Sequence, residues 1–464
     1  MARVLLISAN TTTNPMAVYP LGLALVDAAL VRQGHRTEQF DLLFDREKGQ
    51  TGLESAIAGF MPDIVGISVR NIDNVDSISV HEHWYLGRIK ELVSRIRKTC
   101  RVSVVLGGPA VSIMPGAILD YTGADHCIVG EGELAFNLLI EEIIKGGNPP
   151  AITGPLSPRM ASWEFLAPRY KKELTEYYFD LSGMLNYQTK RGCPFGCNYC
   201  SYPLIEGKKF RYQNPEFVVE NLKRLKTDFQ IDSLFFTDSV FNDPAGRFLQ
   251  VAEAMARAGL GIKWAAYFRP DQISQNDLAL LKRSGLYAME IGSDAACDQT
   301  LKGIGKTFGF DRVMEFNEAA VTADISCAHF FMFGGPGETP DTIDQGLSNI
   351  KRLRHTVVSV FSGIRIIPGT VLADIALSQG IISPEDDLIQ PKFYIAPGID
   401  KGKMNSKIEK SFSRRKDRFF PPENGVIRMK AIKAFGFKGL LWDMMLKTSS
   451  GKKRKQKNIV HDNI

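Results

Sequence analysis

Short, wholly apolar runs alternate with helix-length segments along most of this chain. That alternation constrains the fold more than any other feature, because a strand apolar on both faces must be covered by helices on both sides. Val4–Ile7, Ile64–Val69, Val102–Leu106 and Cys127–Val129 read as strands. Leu21–Gln33 (closed by Gly34), Tyr85–Lys98 and Leu134–Ile144 read as helices between and after them. Residues 1–145 are therefore expected to form a doubly wound parallel sheet, which binds ligands at the carboxyl ends of its strands. Residues 186–380 repeat strand then helix about six times. Strands at Ser233–Thr237, Lys263–Phe268, Tyr287–Ile291, Ile325–Phe333 and Val358–Ile367 are separated by helices at Pro244–Ala258, Ser274–Ser284, Phe310–Ala323 and Pro340–Arg354. Such units curl into a partial (β/α)6 barrel with its chemistry at the C-terminal strand ends. Between the two, residues 146–185 carry Pro149, Pro150, Pro155, Pro158 and Pro168 with little apolar periodicity, the pattern of a linker. The whole is an α/β chain with a smaller, mostly helical region at 381–464.

After the first barrel strand comes Lys-Arg-Gly-Cys-Pro-Phe-Gly-Cys-Asn-Tyr-Cys, with Cys193, Cys197 and Cys200 spaced C-x3-C-x2-C. Three thiolates on one loop can hold three irons of a four-iron–four-sulfur cluster and leave the fourth open to a non-protein ligand. Structural zinc asks for a fourth ligand. Cys100, Cys127, Cys297 and Cys327 are scattered singly, and His126 and His329 are distant in sequence. Seven cysteines, an odd number, and the tightness of the loop speak against disulfides.

The cysteine spacing, with Tyr199 before the last cysteine, resembles the signature of the radical S-adenosylmethionine (SAM) enzymes. In that family SAM chelates the open iron, and an electron from the cluster cleaves it to a radical that abstracts hydrogen from unreactive carbon. The order of barrel elements matches the same family. The resemblance implies four strand-end clusters for SAM. Thr237–Asn242 includes Asp238, and Glu290–Asp294 includes Glu290 and Ser293, with the family's acid displaced. Gly334–Thr339 includes Gly335 near adenine, and Arg365–Thr370 offers Arg365 to the SAM carboxylate. Tyr199 joins this set. Lys302–Lys306 adds to the resemblance without assigned chemistry.

The N-terminal region is similar to the cobalamin-binding domain of cobalamin-dependent radical SAM enzymes. Its strand-end loops place Asn10, Thr11, Ser68, Arg70, Gly107, Gly108, Gly130 and Glu131 as cobalamin contacts. G-x-G-x-x-G after the first strand, a Walker lysine and the D-x-H-x-x-G motif that supplies a lower axial histidine are all missing. His35 and His126 read as ordinary surface or loop histidines. The resemblance implies methyl transfer to an unactivated carbon, with electrons from flavodoxin or ferredoxin. Its rivals are radical cyclisation or rearrangement without methyl transfer, a scaffolding N-terminal domain, and a non-enzymatic iron–sulfur carrier or sensor. The N-terminal loop, Ser-Ala-Asn-Thr-Thr-Thr-Asn-Pro, also resembles a subgroup associated with lipid biosynthesis, so the substrate expected is a small molecule or lipid.

Net charge is +6, concentrated in Lys401–Arg418 and in Lys452, Lys453, Arg454, Lys455 and Lys457. A solvated surface is the first reading of both; no nucleic-acid partner is expected, and peripheral membrane contact is compatible with the charge. Ile427–Leu446 reads as a helix for core packing or for covering the substrate channel, with interfacial membrane binding as the alternative. The absence of a signal sequence and of a membrane span, with unpaired cysteines, points to the cytoplasm.

Overall fold

The computed structural model describes residues 1–48, 52–156, 159–161 and 165–449. The basic tail named above lies outside them. Six strands form the first sheet: β1 (Arg3–Ser8), β2 (Arg36–Asp41), β3 (Ile64–Ser68), β4 (Ser103–Gly107), β5 (His126–Ile128) and β6 (Ile152–Thr153). Their order is β2-β1-β3-β4-β5-β6, and every pairing is parallel. Val4, Leu5, Ile7, Val65, Val104 and Leu106 are almost wholly buried, as inner strands covered on both faces must be. Strand β2 has no apolar run. It is an edge strand, Arg-Thr-Glu-Gln-Phe-Asp, with only Gln39 and Asp41 buried.

The stretch expected as a linker is structured in part. Residues 152–153 complete the first sheet, and Lys172–Ser182 forms a helix. Gly183 closes that helix with φ +76°, the left-handed geometry that suits glycine at a helix end.

The second sheet begins with β7 (Leu185–Tyr187). A hairpin of β8 (Lys190–Arg191) and β9 (Arg211–Tyr212) brackets the cysteine loop. Then follow β10 (Ser233–Phe236), β11 (Lys263–Phe268), β12 (Leu286–Asp294), β13 (Ser326–Phe333) and β14 (Thr356–Ser362). The short antiparallel pair β15 (Ile364–Arg365) and β16 (Phe393–Tyr394) stands apart, and β17 (Arg418–Phe419) pairs in parallel with β14. The order β17-β14-β13-β12-β11-β10-β7 is a partial barrel with all strands parallel. The C-terminal region thus adds a seventh strand, which sequence reading did not expect. Asn214 caps the helix Pro215–Phe229, accepting from Glu216 N at 2.8 Å, as Asn-Pro-Glu foretells.

The expected helix at Ile427–Leu446 is two helices, Glu423–Lys433 and Trp442–Ser449, broken at Gly436 and Gly439, both with positive φ. Leu440, Leu441, Trp442 and Met445 enter one end of the barrel and pack with Ala265, Ala288, Ala328 and Val357 from its strands. Small residues on four neighbouring strands leave room for that plug.

Candidate active site

The cysteine loop is clamped from two sides. On one side Gly192 has φ +88°, and a Cβ there would stand 2.1 Å from the Lys209 carbonyl oxygen. Cys193 N donates to the Gly207 carbonyl at 3.0 Å, and Gly192 N to Glu206 at 2.9 Å. On the other side Asn198 N donates to the Ile304 carbonyl at 3.1 Å and its amide to Gly303 at 2.7 Å. A Cβ on Gly305 would meet the Gly196 carbonyl at 2.4 Å, and one on Gly303 the Pro336 carbonyl at 1.9 Å. The Lys302–Lys306 segment is therefore a wedge between the cysteine loop and the Gly-Gly-Pro-Gly turn, a task that only glycine backbone can perform at such distances.

Cys193, Cys197 and Cys200 carry no disulfide. Burial pushes the Cys200 thiol up to about 12, and the neighbouring Cys197 and Cys193 sulfurs add to the shift. Cys193 is likewise raised by burial, with Cys197 contributing. Thiols that raise one another share one space, and a bound metal would claim them as thiolates. Two buried cations flank the loop. The Arg269 guanidinium lies 3.6 Å from the centre of the Phe195 ring and forks onto Asp271 at 2.8 Å and 2.8 Å. Lys306, 4% exposed, pairs with Asp294, which also accepts from the Tyr199 hydroxyl at 2.7 Å.

A cavity of about 530 Å³ lies between the two sheets. Its walls include the carboxyl ends of β1, β3, β4 and β5 on one side and Gln188, Arg191, Ser201, Tyr202, Tyr267 and Arg365 on the other. Asn10, Ser68, Arg70, Gly107, Gly108, Gly130 and Glu131 all line it, as their loop positions predict. Thr11 does not; its hydroxyl accepts from Arg88 at 2.9 Å, outside the cavity. Gly108 has φ +103°, and a Cβ there would stand 2.6 Å from the Val69 carbonyl oxygen. The buried Asn10 Nδ2 has no hydrogen-bond partner. A donor left unmet in an apolar, glycine-edged space fits a bulky ligand that brings its own acceptors.

Glu131 and Glu133 serve mainly to join the two sheets. Arg211 donates to Glu131 at 2.9 Å and Arg191 to Glu133 at 2.5 Å, bolting the β8–β9 hairpin to the first sheet. Neither histidine considered above lines the cavity. His35 is a buried structural residue between Ala2 N at 3.2 Å and Asn137 at 2.9 Å, not a surface one, and His126 meets the Pro150 carbonyl at 3.1 Å.

The residues expected to meet SAM are dispersed. Asp238 is fully buried, accepting from Thr189 N at 2.7 Å and Thr189 Oγ1 at 2.5 Å, with Lys190 Nζ at 3.6 Å. Both of its oxygens serve β7 and β8. Ser293 faces out of the barrel and meets His329 Nδ1 at 2.8 Å, because successive strand residues alternate faces. It is Asp294, its neighbour, that reaches the cysteine loop. Glu290 lies four residues down β12 from Asp294, roughly 13 Å at a strand's rise, beside Tyr267 on β11. Burial raises its carboxyl to about 7; the Trp442 indole N–H is near enough to offset part of this without hydrogen-bond geometry. Gly335 is packed under Ile364, whose Cδ1 would be 3.0 Å from an added Cβ. Arg365 reaches across to the first sheet's loops, donating to Asp73 at 3.0 Å and to the carbonyls of Ile366 and Leu388. Asp294 and Lys306 fall in runs singled out from the sequence without being assigned to the cysteine loop, and Arg269 was not singled out at all. The lysine-glycine run was the available signal for one of them.

Residues 187–348 match the model of the radical SAM superfamily, and residues 7–140 that of the B12 binding domain. The chain belongs to the radical SAM enzymes that carry a B12-binding domain. An uncharacterised methyltransferase of Pyrococcus horikoshii is 27% identical over 80% of each chain. The cytidylyl-2-hydroxyethylphosphonate methyltransferase of Streptomyces wedmorensis is 23% identical over 91% of this chain and 92% of its own. The radical SAM methyltransferase TsrM of Kitasatospora setae, solved with cobalamin and a [4Fe-4S] cluster, shares the fold at TM-score 0.82. It is 20% identical, covering 96% of this chain and 99% of its own. The radical SAM enzyme's cofactors are a [4Fe-4S] cluster, SAM and cobalamin, and the cysteine loop and the glycine-edged cavity fit the first and last of them.

Proposed function

We propose that this enzyme transfers a methyl group from SAM to an unactivated carbon of a small or lipid-like substrate. The observation that carries this reading is that Ser201 and Tyr202, which follow Cys200 directly, line the same cavity as Asn10 and Gly108. The cluster loop and the cobalamin cradle are thus two walls of one chamber. When bound, the cluster and cobalamin supply one-electron chemistry and a cobalt that carries methyl groups. The chain supplies position and charge. The three cysteines would hold three irons and Asn10 with the glycine backbones would receive the corrin, while the arginine–glutamate bolts keep the two walls together.

Cys193, Cys197 and Cys200 would leave one iron open to SAM; Tyr199, Asp238, Gly335 and Arg365 act through the loops they order, and Glu290 and Ser293 through their places on β12. A flavodoxin or ferredoxin would supply electrons. The seven free cysteines suit a reducing compartment, and no described helix is long and apolar enough to cross a membrane. Methyl transfer is tested by anaerobic incubation of the reconstituted enzyme with methyl-labelled SAM and extracts of its host. Label in an organic product is expected. SAM cleavage to deoxyadenosine with no label transferred would replace methyl transfer by cyclisation or rearrangement.

A further inference from the structure

The C-terminal region sends its apolar side chains in two directions. Leu440, Leu441, Trp442 and Met445 fill the barrel end, whereas Ile427, Phe435 and Phe437 face outward, 59%, 83% and 44% exposed. On the helix Glu423–Lys433, Ile427 and Ala431 are exposed one turn apart, and Ala434 and Phe435 extend that stripe past its end. The surroundings are cationic. Lys430 and Lys438 are exposed, the latter paired with Asp180 at 3.3 Å, and Arg428 donates to the Lys416 carbonyl, which draws the basic turn at Arg414–Lys416 beside the helix. From Glu423 to Lys447 five Lys and Arg residues stand against two carboxylates. The sequence beyond adds Lys452, Lys453, Arg454, Lys455 and Lys457 against Asp462.

An exposed aromatic cluster in a field of one sign of charge calls for a partner that is apolar within and anionic at its face. A lipid headgroup layer has that order: rings enter the acyl boundary while lysines reach the phosphates. We propose that the Ile427–Lys438 knob docks this enzyme onto an anionic lipid bilayer. Gly439 N donates to the Ser182 carbonyl at 2.9 Å, and Leu440 N to the Tyr287 hydroxyl at 3.3 Å. Those contacts place the knob at the amino ends of β7 and β12, opposite the cysteine loop. Docking there leaves the cofactor chamber turned away from the bilayer and free for its electron donor. The inference stands on the surface alone and does not depend on methyl transfer.

The test is co-sedimentation of the full-length protein with vesicles of phosphatidylcholine alone and of phosphatidylcholine mixed with phosphatidylglycerol. Binding is expected only to the mixed vesicles, and raising the salt should weaken it. Phe435→Ser combined with Phe437→Ser should lower the partition coefficient about tenfold and Lys430→Glu by a smaller factor, with thermal unfolding unchanged because these side chains lie outside the core. Wild-type binding by the double variant would overturn the proposal, because the basic tail alone would then explain attachment. So would equal binding to both vesicle types, failure to bind either, or a wild-type dimer that the double variant dissolves.

Discussion

The carboxyl ends of the two parallel sheets are finished in opposite ways. At the first sheet Asn10 Nδ2 is buried without a partner, Arg70 reaches the cavity with no carboxylate paired to it among the described residues, and glycines hold the backbone open. At the barrel, Asp238, Ser293, Asp294 and Arg365 are each taken by protein groups. The first set is shaped for a ligand that brings the missing partners. The second set wires loops to one another so that three cysteines keep their places. A motif residue at a strand end is free to meet a ligand only where its hydrogen bonds are left open.

The largest effect should come from the one barrel-end set that is left open, the thiols. Cys197→Ala should reduce the iron of the reconstituted protein and bring SAM cleavage to background; undiminished cleavage would end the radical assignment. Next comes the contrast itself. Asp238→Ala leaves the buried Thr189 N, Thr189 hydroxyl and Lys190 N without their acceptor and Lys190 Nζ with Asp243 as its remaining carboxylate, and should cost about 2–3 kcal/mol in urea unfolding of the apoprotein. Asn10→Ala removes no protein hydrogen bond from its Nδ2 and should stay near 0.5 kcal/mol in the same assay, yet lower corrinoid retention. Equal costs would erase the distinction between the two strand-end designs.

Glu290 tests whether the barrel interior is as dry as its packing suggests. Its carboxyl is raised from an ordinary 4.5 to about 7, chiefly by burial. The folded state therefore binds more protons than the unfolded state between those values. Its stabilising contribution is full below pH 4.5 and is lost as pH rises through about 7. The loss amounts to about 3 kcal/mol. Glu290→Gln should flatten that part of the pH–stability curve, and an unaltered slope would mean that water already reaches the side chain.

The alternating strands and helices, the cysteine loop and seven of the eight cavity residues were legible because each leaves a local mark: an apolar run, a fixed spacing, a glycine after a strand. Strand β2 left none, since an edge strand with one covered face can be written in polar residues. Strand β17 is only two residues long and exists through its pairing with β14. Ser293 and Asp294 show another limit. Which of two adjacent residues faces the mouth depends on strand register, and β12 has an irregularity between Ile291 and Asp294. The helix expected over Ile427–Leu446 fails because its apolar residues serve two different surfaces.

Gly108→Ala probes the open side more gently. The added methyl would press on the Val69 carbonyl at a backbone angle that alanine disfavours. Corrinoid affinity should fall about tenfold, equivalent to about 1.4 kcal/mol, with SAM-independent cluster assembly unaffected. Loss of the cluster as well would mean that the two walls fold as one unit.

The smallest effect concerns the wired side. Lys306 is buried, paired with Asp294 and one hydrogen bond removed from Tyr199, so its charge is fixed beside the cysteine loop. Cluster potentials respond to nearby net charge, and removing a fixed positive charge makes the acceptance of an electron harder. Lys306→Met should therefore lower the midpoint potential of the reconstituted cluster by about 59 mV, a tenfold change in its one-electron equilibrium, in an anaerobic titration followed by electron paramagnetic resonance. Lys306→Arg should restore most of it. Full iron content with an unmoved potential would reduce Lys306 to a strut for the Tyr199–Asp294 pair, and the barrel end would then differ from the first sheet in packing alone.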